Sequence, residues 1–252
     1  NGIDCFAIHL TQNVGIAEAA NTGIKQSSSE YIHLHDDDDT VEPNFYSIMC
    51  GYLDSDIKKR FGGVVCSTYR VDECVRENHI QQTSKQPLHH SKSATHIADI
   101  ITRNQFSTIS FIFRRNCIET IGYYDRELTV LEDWDFNIRF LMQFDIASIY
   151  DHLANYHFRS IATGPLAQTV QSSIQHEIYT AVLRNKYFRN GLKSDGNAML
   201  GLLTNIGRNF QIQTGKLTEI QNHIESEWTL KRFLKKCTRK LNHITNRHKI
   251  TK

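Results

Sequence analysis

The sequence predicts an α/β fold followed by a purely α-helical extension. Two observations carry this. Apolar runs of strand length alternate with stretches of helical period through about residue 165, and beyond about 166 only helical periodicity remains. A third observation gives the α/β part a function: one cluster of carboxylates stands directly after a predicted strand and a second opens a predicted helix. We therefore read 1–165 as one domain and 166–252 as a helical extension.

The elements follow in order. Residues 3–8 (IDCFAI) are a short apolar run, expected as a buried strand. Asn13-Val14-Gly15 is a turn signal, after which Ile16, Ala20 and Ile24 recur at helical spacing to about Gln26. Glu30–His35 is a second strand, and Pro43 sits where a helix can begin. Phe45, Ile48, Met49, Tyr52 and Leu53 give that helix its apolar face. Val64–Val71 reads as a strand, and 76–98 as a long polar loop without period. Thr108–Phe113 is a strand, and Asn116–Ile121 a short helix closed by Gly122. Asp133–Phe144 is a helix with apolar residues on more than one face, hence mostly buried. Ile146–Tyr150 and Leu153–Phe158 are two short strands, and helices are expected near 167–189, 196–212 and 216–246.

Composition sets outer limits. With 252 residues, 40% hydrophobic and 22% charged, the chain has ordinary globular composition and can bury a sizeable core. Disorder, a collagen repeat and a disulfide scaffold are excluded. No stretch approaches roughly 18 uninterrupted apolar residues, so no membrane-spanning helix is expected. The six cysteines form no C-x-x-C pair and read as the reduced thiols of a cytosolic protein.

Charge is uneven. Residues 231–252 hold nine of the 29 lysines and arginines and no acid, which leaves 20 bases against 27 acids elsewhere. Leu230, Phe233, Leu234, Cys237, Leu241 and Ile244 recur there at helical spacing. A basic amphipathic helix over 230–252 can lie on an anionic membrane surface, or dock on its own domain or a second copy. Nucleic acid is not expected, because no aromatic stacking pattern accompanies the charge.

The acidic clusters point to chemistry. Asp36-Asp37-Asp38-Asp39 repel one another, and they follow a strand, where ligands of open α/β sheets bind. Carboxylate oxygens suit Mg²⁺ or Mn²⁺, ions that keep positions open for phosphate oxygens. Glu132-Asp133-Trp134-Asp135 opens a helix, where the macrodipole favours acids. Apolar surroundings there raise a carboxylate pKa and make a general base. A metal that holds a phosphorylated substrate and a separate base together imply group transfer from a phosphate ester.

At this point the residues resemble family 2 glycosyltransferases of the GT-A fold. Asn13-Val14-Gly15, Ala20-Asn21-Thr22-Gly23-Ile24, Tyr31-Ile32, Asp36–Asp39 and Pro43 reproduce that family's first motifs in order. Phe111–Arg115, Ile118–Gly122, Tyr124-Asp125 and Glu132-Asp133-Trp134-Asp135-Phe136 with Arg139 reproduce the later ones. The resemblance spans about residues 3–160. It implies a Rossmann-like mixed sheet flanked by helices. It also implies that Asp133 deprotonates the acceptor hydroxyl, so that a single displacement inverts the anomeric carbon.

The remaining roles follow in the same way. Asn21, Asp36, Asp37 and Asp38 would bind the nucleotide-diphosphate donor, a UDP-sugar favoured. Asp36 and Asp38 would hold Mn²⁺ or Mg²⁺, with His157 as a further metal ligand. Glu132 and Trp134 would shape the acceptor side. The resemblance also implies a base-binding strand–helix unit ahead of residue 1, and a setting in bacterial surface-glycan synthesis at the cytoplasmic membrane face. Tyr156-His157-Phe158-Arg159 departs from it, standing where relatives show Y-R-x-H.

Two other readings are kept. Asp36-x-Asp38-x-Thr40-Val41 also fits the nucleophile motif of haloacid-dehalogenase-type phosphatases, although no matching lysine motif follows. A truncated, non-catalytic domain that binds partners through its helices is the other.

Overall fold

The structure, a computed structural model, describes residues 4–76, 79–89, 94–159, 173–193, 201–202, 204–225 and 227–228. The strands are β1 (Tyr31–His33), β2 (Thr40–Val41), β3 (Phe61–Arg76), β4 (His79–His89), β5 (Phe111–Arg114) and β6 (Asp145–Phe158). The helices are α1 (Ile16–Gln26), α2 (Phe45–Ser55), α3 (Ile97–Ile100), α4 (Cys117–Ile121), α5 (Glu132–Leu141) and α6 (Ser173–Lys193).

Strand alternation sets the layers. Val64 and Cys66 of β3, Ile112 of β5 and Ala147 of β6 pack with Phe45, Met49 and Leu53 of α2. Their neighbours Val65, Phe111, Phe113 and Ile146 enter a second core with Ala17 and Ile24 of α1, Phe136 and Phe140 of α5, and Leu183 and Tyr187 of α6. Helices thus cover both faces of one sheet. The sheet order is β1-β5-β3-β6-β2 with β4 on β3, and it is mixed: β3 and β6 run parallel while every other pairing is antiparallel. An edge strand paired antiparallel to its neighbour does not suit the phosphatase reading, which wants the Asp36 strand in a parallel sheet.

Local chemistry explains the elements. The Asn13 side chain accepts from the amide of Gly15 (2.9 Å), and Gly15 has φ 84°, which starts α1. Its buried stripe is Ala17, Asn21 and Ile24, one residue round from the expected face, and Ile16 is exposed. Arg115, at the end of β5, donates to the Ile24 carbonyl (2.8 Å) and the Ser27 hydroxyl (2.7 Å). It thus satisfies the C-terminus of α1 and ties that helix to the sheet. The sheet and the core leave no room at Gly63, where a Cβ would stand 2.6 Å from the Phe111 ring and 2.9 Å from the Ile112 carbonyl oxygen.

Several expectations change. Residues 4–10 are exposed and pair with no strand among the described residues, so the apolar run does not become the expected buried strand. The expected loop 76–98 contains β4, which turns back on β3 from Arg76↔His79 to Thr68↔His89. Its described side chains, 79–88, are almost all exposed, so no alternation marks it in the sequence. Thr108–Ser110 is a 3-10 turn that leads into β5, and the two strands expected over 146–158 are the single strand β6.

Two compact units divide the chain, 1–204 and 205–252. The segment around 165 lies outside the described residues, and α6 beyond it belongs to the first unit. The Asp135 carboxylate is wholly buried, and Arg139 (2.7 Å) and Lys186 of α6 (3.1 Å) compensate its charge. Lys186 also pairs with Asp125 at 2.6 Å. In the second unit 205–225 is helical throughout, without the break expected between 212 and 216. The basic tail from 231, and residues 229 and 230 before it, lie outside the described residues.

Candidate active site

The four aspartates occupy the turn between β1 and β2, closed by the Asp39 amide donating to the Asp36 carbonyl (3.2 Å). They do not share one role. Asp39 is buried, and its carboxylate accepts from the His157 amide of β6 at 2.9 Å. Burial pushes its pKa up to about 7, against the pull of that hydrogen bond. Asp39 therefore anchors the turn, while Asp36, Asp37 and Asp38 remain accessible to solvent. Asp36 is open to water yet walled by protein. Lost hydration and then the charges of Asp38 and Asp37 push its pKa up.

The second cluster opens α5. Leu131 precedes it at φ 64°, a left-handed conformation that costs a bulky residue about 1–3 kcal/mol. Asp133 has both oxygens occupied: Oδ1 accepts from the Trp134 amide and Oδ2 from Asn104 Nδ2, each at 2.7 Å. Burial raises its pKa, those two bonds oppose the rise, and the Asp36 charge adds to it. Glu132 is pushed to about 7 by burial, then by Asp133, with Asp36 contributing. The two clusters, about 95 residues apart, therefore face one another closely enough to feel each other's charge. Tyr156 joins them, its hydroxyl pKa raised by burial and by Asp39, Asp38 and Asp36.

Three expected site residues serve elsewhere. Asn21 is buried and uses its amide in two bonds to the Tyr124 backbone, so it holds the turn at 123–125 instead of reaching a donor. Trp134 is buried rather than on an acceptor wall. Its Nε1–H donates to the Ile100 carbonyl (2.5 Å), and Arg184 lies 5.5 Å over its ring. His157 lies within β6 with both ring nitrogens engaged, Nδ1 with Glu73 (2.6 Å) and Nε2 with Thr40 (2.9 Å), which leaves it no lone pair for a metal.

Asn104 and Glu73 escaped the sequence reading, and Tyr156 and Arg159 entered it only as part of a departure from Y-R-x-H; Arg159 pairs with Glu73 at 2.9 Å. Asn104 and Glu73 carry no motif; only the charge they meet in the fold marks them. Among the described residues no group of three or more His, Cys, Asp or Glu forms a ready metal cage. Asp36 and Asp38 nonetheless fit a hard cation shared with a diphosphate, since Mg²⁺ commonly takes one or two carboxylates and completes its shell with phosphate and water. The mutual repulsion that raises the Asp36 pKa is what such a cation relieves.

A mixed sheet flanked by helices on both faces is the architecture of a GT-A-type fold. Residues 1–121, a little under half of the chain, match the sequence profile of glycosyl transferase family 2. The match takes in the Asp36–Asp39 turn and ends before Glu132. Over 135 residues the chain is 27% identical to the uncharacterized glycosyltransferase YwdF of Bacillus subtilis (strain 168), a stretch covering 52% of this chain and 46% of that protein. Its fold is similar to the crystal structure of S. aureus TarS 1-349, with a TM-score of 0.53 and 15% identity over 80% of this chain and 53% of that one. The chain thus spans about half the length of the relatives it matches.

Proposed function

We propose that this chain transfers a sugar from a nucleotide-diphosphate donor to a hydroxyl acceptor, with inversion and with a divalent metal. The observation that supports this best is the approach of Asp36 and Asp133. One accessible carboxylate group suits a charged donor, and a second, separate carboxylate is partly buried and held by fixed donors, as a base requires.

The chemistry then runs as one displacement. When bound at Asp36 and Asp38, Mn²⁺ or Mg²⁺ neutralises charge on the departing diphosphate. Asp133 accepts the proton of the acceptor hydroxyl. That oxygen bonds to the anomeric carbon as the carbon–oxygen bond to the diphosphate breaks on the opposite face, which inverts the configuration. Glu132 lies beside Asp133, where a half-buried acid can contact the acceptor. The buried Tyr124 and the partly buried Tyr156 beside the clusters restrict water, which strengthens these electrostatic effects.

The donor is proposed as a UDP-sugar, the acceptor as a growing glycan or a lipid-linked sugar, and the setting as surface-glycan assembly at the cytoplasmic face of the membrane. No described helix is long and apolar enough to cross a membrane. The basic segment 230–252 is proposed to bring the enzyme to an anionic surface.

A thermal-shift titration with UDP, GDP and dTDP, each with and without Mn²⁺, tests the reading, because a ligand of the native state raises its stability by mass action. A Mn²⁺-dependent shift with one nucleotide is expected, and it should vanish in Asp38→Asn. Shifts that ignore both the metal and Asp38 would remove the metal role. No shift with any nucleotide would remove the donor class.

A further inference from the structure

Asp133 is gripped by a residue remote in sequence. Asn104, in the loop after α3, donates from Nδ2 to Asp133 Oδ2 at 2.7 Å. Its own carbonyl oxygen accepts from Asn137 Nδ2 at 3.1 Å. Asn137 lies one helical turn beyond Asp133 on α5 and is buried. The chain of donors has one sense only. Were the Asn104 amide turned over, its oxygen would meet the Asp133 carboxylate and its NH₂ would meet the NH₂ of Asn137, so both contacts would become repulsive. Asn137 therefore locks Asn104 with its N–H toward Asp133.

We propose that Asn104, locked by Asn137, is a positioning residue that keeps Asp133 ionised and aimed for proton transfer. The proposal rests on Asp133 being the base. An N–H donor favours the charged form of a carboxylate. Together with the Trp134 amide it works against what disfavours that charge: burial, Glu132 beside it on α5, Asp36 from the turn after β1, and the Tyr124 ring from the turn after α4. The Trp134 amide holds the other oxygen, so the carboxylate plane is fixed at two points and each oxygen keeps a lone pair for the acceptor hydroxyl. The arrangement also makes the base sensitive to the loop at 101–107, since a displacement of Asn104 alters the charge of Asp133 before it alters the fold.

The test reads the Asp133 carboxyl directly. In the full chain labelled with ¹³C-carboxyl aspartate, its signal is the one missing from Asp133→Asn. Asn104→Leu removes the donor at similar volume and is expected to raise the titration midpoint by about one pH unit, equivalent to about tenfold in ionisation at fixed pH. Asn104→Asp, of the same shape but carrying a charge, should raise it further. Asn137→Ala, which only unlocks the amide, should raise it less, and it serves alone if the Asn104 variants melt early. UDP release from UDP-glucose or UDP-N-acetylglucosamine with Mn²⁺ should then show the acidic limb of kcat moved by the same amount, with donor KM within about twofold.

An unmoved midpoint in a folded Asn104→Leu overturns the proposal, as does a loss confined to KM. A moved midpoint in a protein whose wild type transfers no sugar keeps the hold on Asp133 and removes the transfer reading instead.

Discussion

Asn21 and Tyr124 exchange two hydrogen bonds across 103 residues of chain: the Asn21 amide donates to the Tyr124 carbonyl and its oxygen accepts from the Tyr124 amide, both at 2.9 Å. A side-chain amide here imitates a strand's backbone partner and joins α1 to the turn that precedes α5. Asn21→Ala leaves a buried N–H and a buried C=O without partners, at about 1–3 kcal/mol each. Urea denaturation should show a loss of at least about 2 kcal/mol, while the surviving folded protein binds nucleotide with unchanged affinity. Lost affinity at unchanged stability would return Asn21 to the donor site.

Asp133→Asn keeps the shape of the proposed base and removes its charge. Transfer should fall by about 10²–10⁴. The nucleotide-dependent thermal shift should stay the same, and a shift reduced in proportion to rate would place Asp133 in donor binding instead.

Glu132 carries a pH signature. Its pKa in the folded protein is raised from 4.5 to about 7, so the native state holds a proton that the unfolded chain has already released. Stability from this group is full below the unfolded value and is lost as pH rises through about 7. Glu132→Gln should therefore match wild type near pH 4.5 and exceed it at pH 8 by about 1–2 kcal/mol, allowing for water at this half-buried site. Urea curves at the two pH values measure this, and a constant difference between the proteins would mean that Glu132 does not titrate in that range.

Gly63→Ala drives a methyl group into the Phe111 ring and the Ile112 carbonyl. The latter is backbone and cannot turn aside, so a destabilisation of about 3 kcal/mol or more is expected, with a drop in melting temperature. Gly51→Ala, on the open face of α2 with nothing within 4 Å, should by contrast be neutral or stabilising.

Deleting 231–252 should release the protein from vesicles of anionic lipid while leaving nucleotide binding intact. Flotation with phosphatidylglycerol and with phosphatidylcholine vesicles separates charge from simple adhesion. Unchanged flotation of the shortened chain would remove the membrane proposal.

What the sequence disclosed follows from how each signal is written. α1, α2, β1, α4 and α5 lie on periodic apolar residues with Gly15, Pro43 or Gly122 as punctuation, and they fall where expected. β4 left no trace because both its faces meet water over 79–87, so neither period arises. The acidic turn and Asp133 announced themselves by charge, yet only the fold separates Asp39, an anchor, from Asp36 and Asp38. Trp134 and His157 were drawn to the site by their neighbours in sequence. On α5 the residue next to a site residue points about 100° away, and on β6 a histidine at the right position can be fully engaged by Thr40 and Glu73. Asn104 could not have been found at all, since one asparagine in a polar loop has no pattern.

The long strand β3 has a consequence for how the protein is made. Its polar end, Thr68–Arg76, pairs with β4 a few residues later, but its apolar part at Val64–Cys66 waits for β5 and then for β6, whose Asp145 pairs with Phe61. During synthesis on a ribosome the hairpin can close early, while the valines stay uncovered until residues 111–158 have left the exit tunnel. That interval is when the nascent chain is most exposed to aggregation, and slow translation between residues 90 and 158 would lengthen it. The water-facing β4 then works as a temporary guard, occupying one edge of β3 with side chains that attract no other strand.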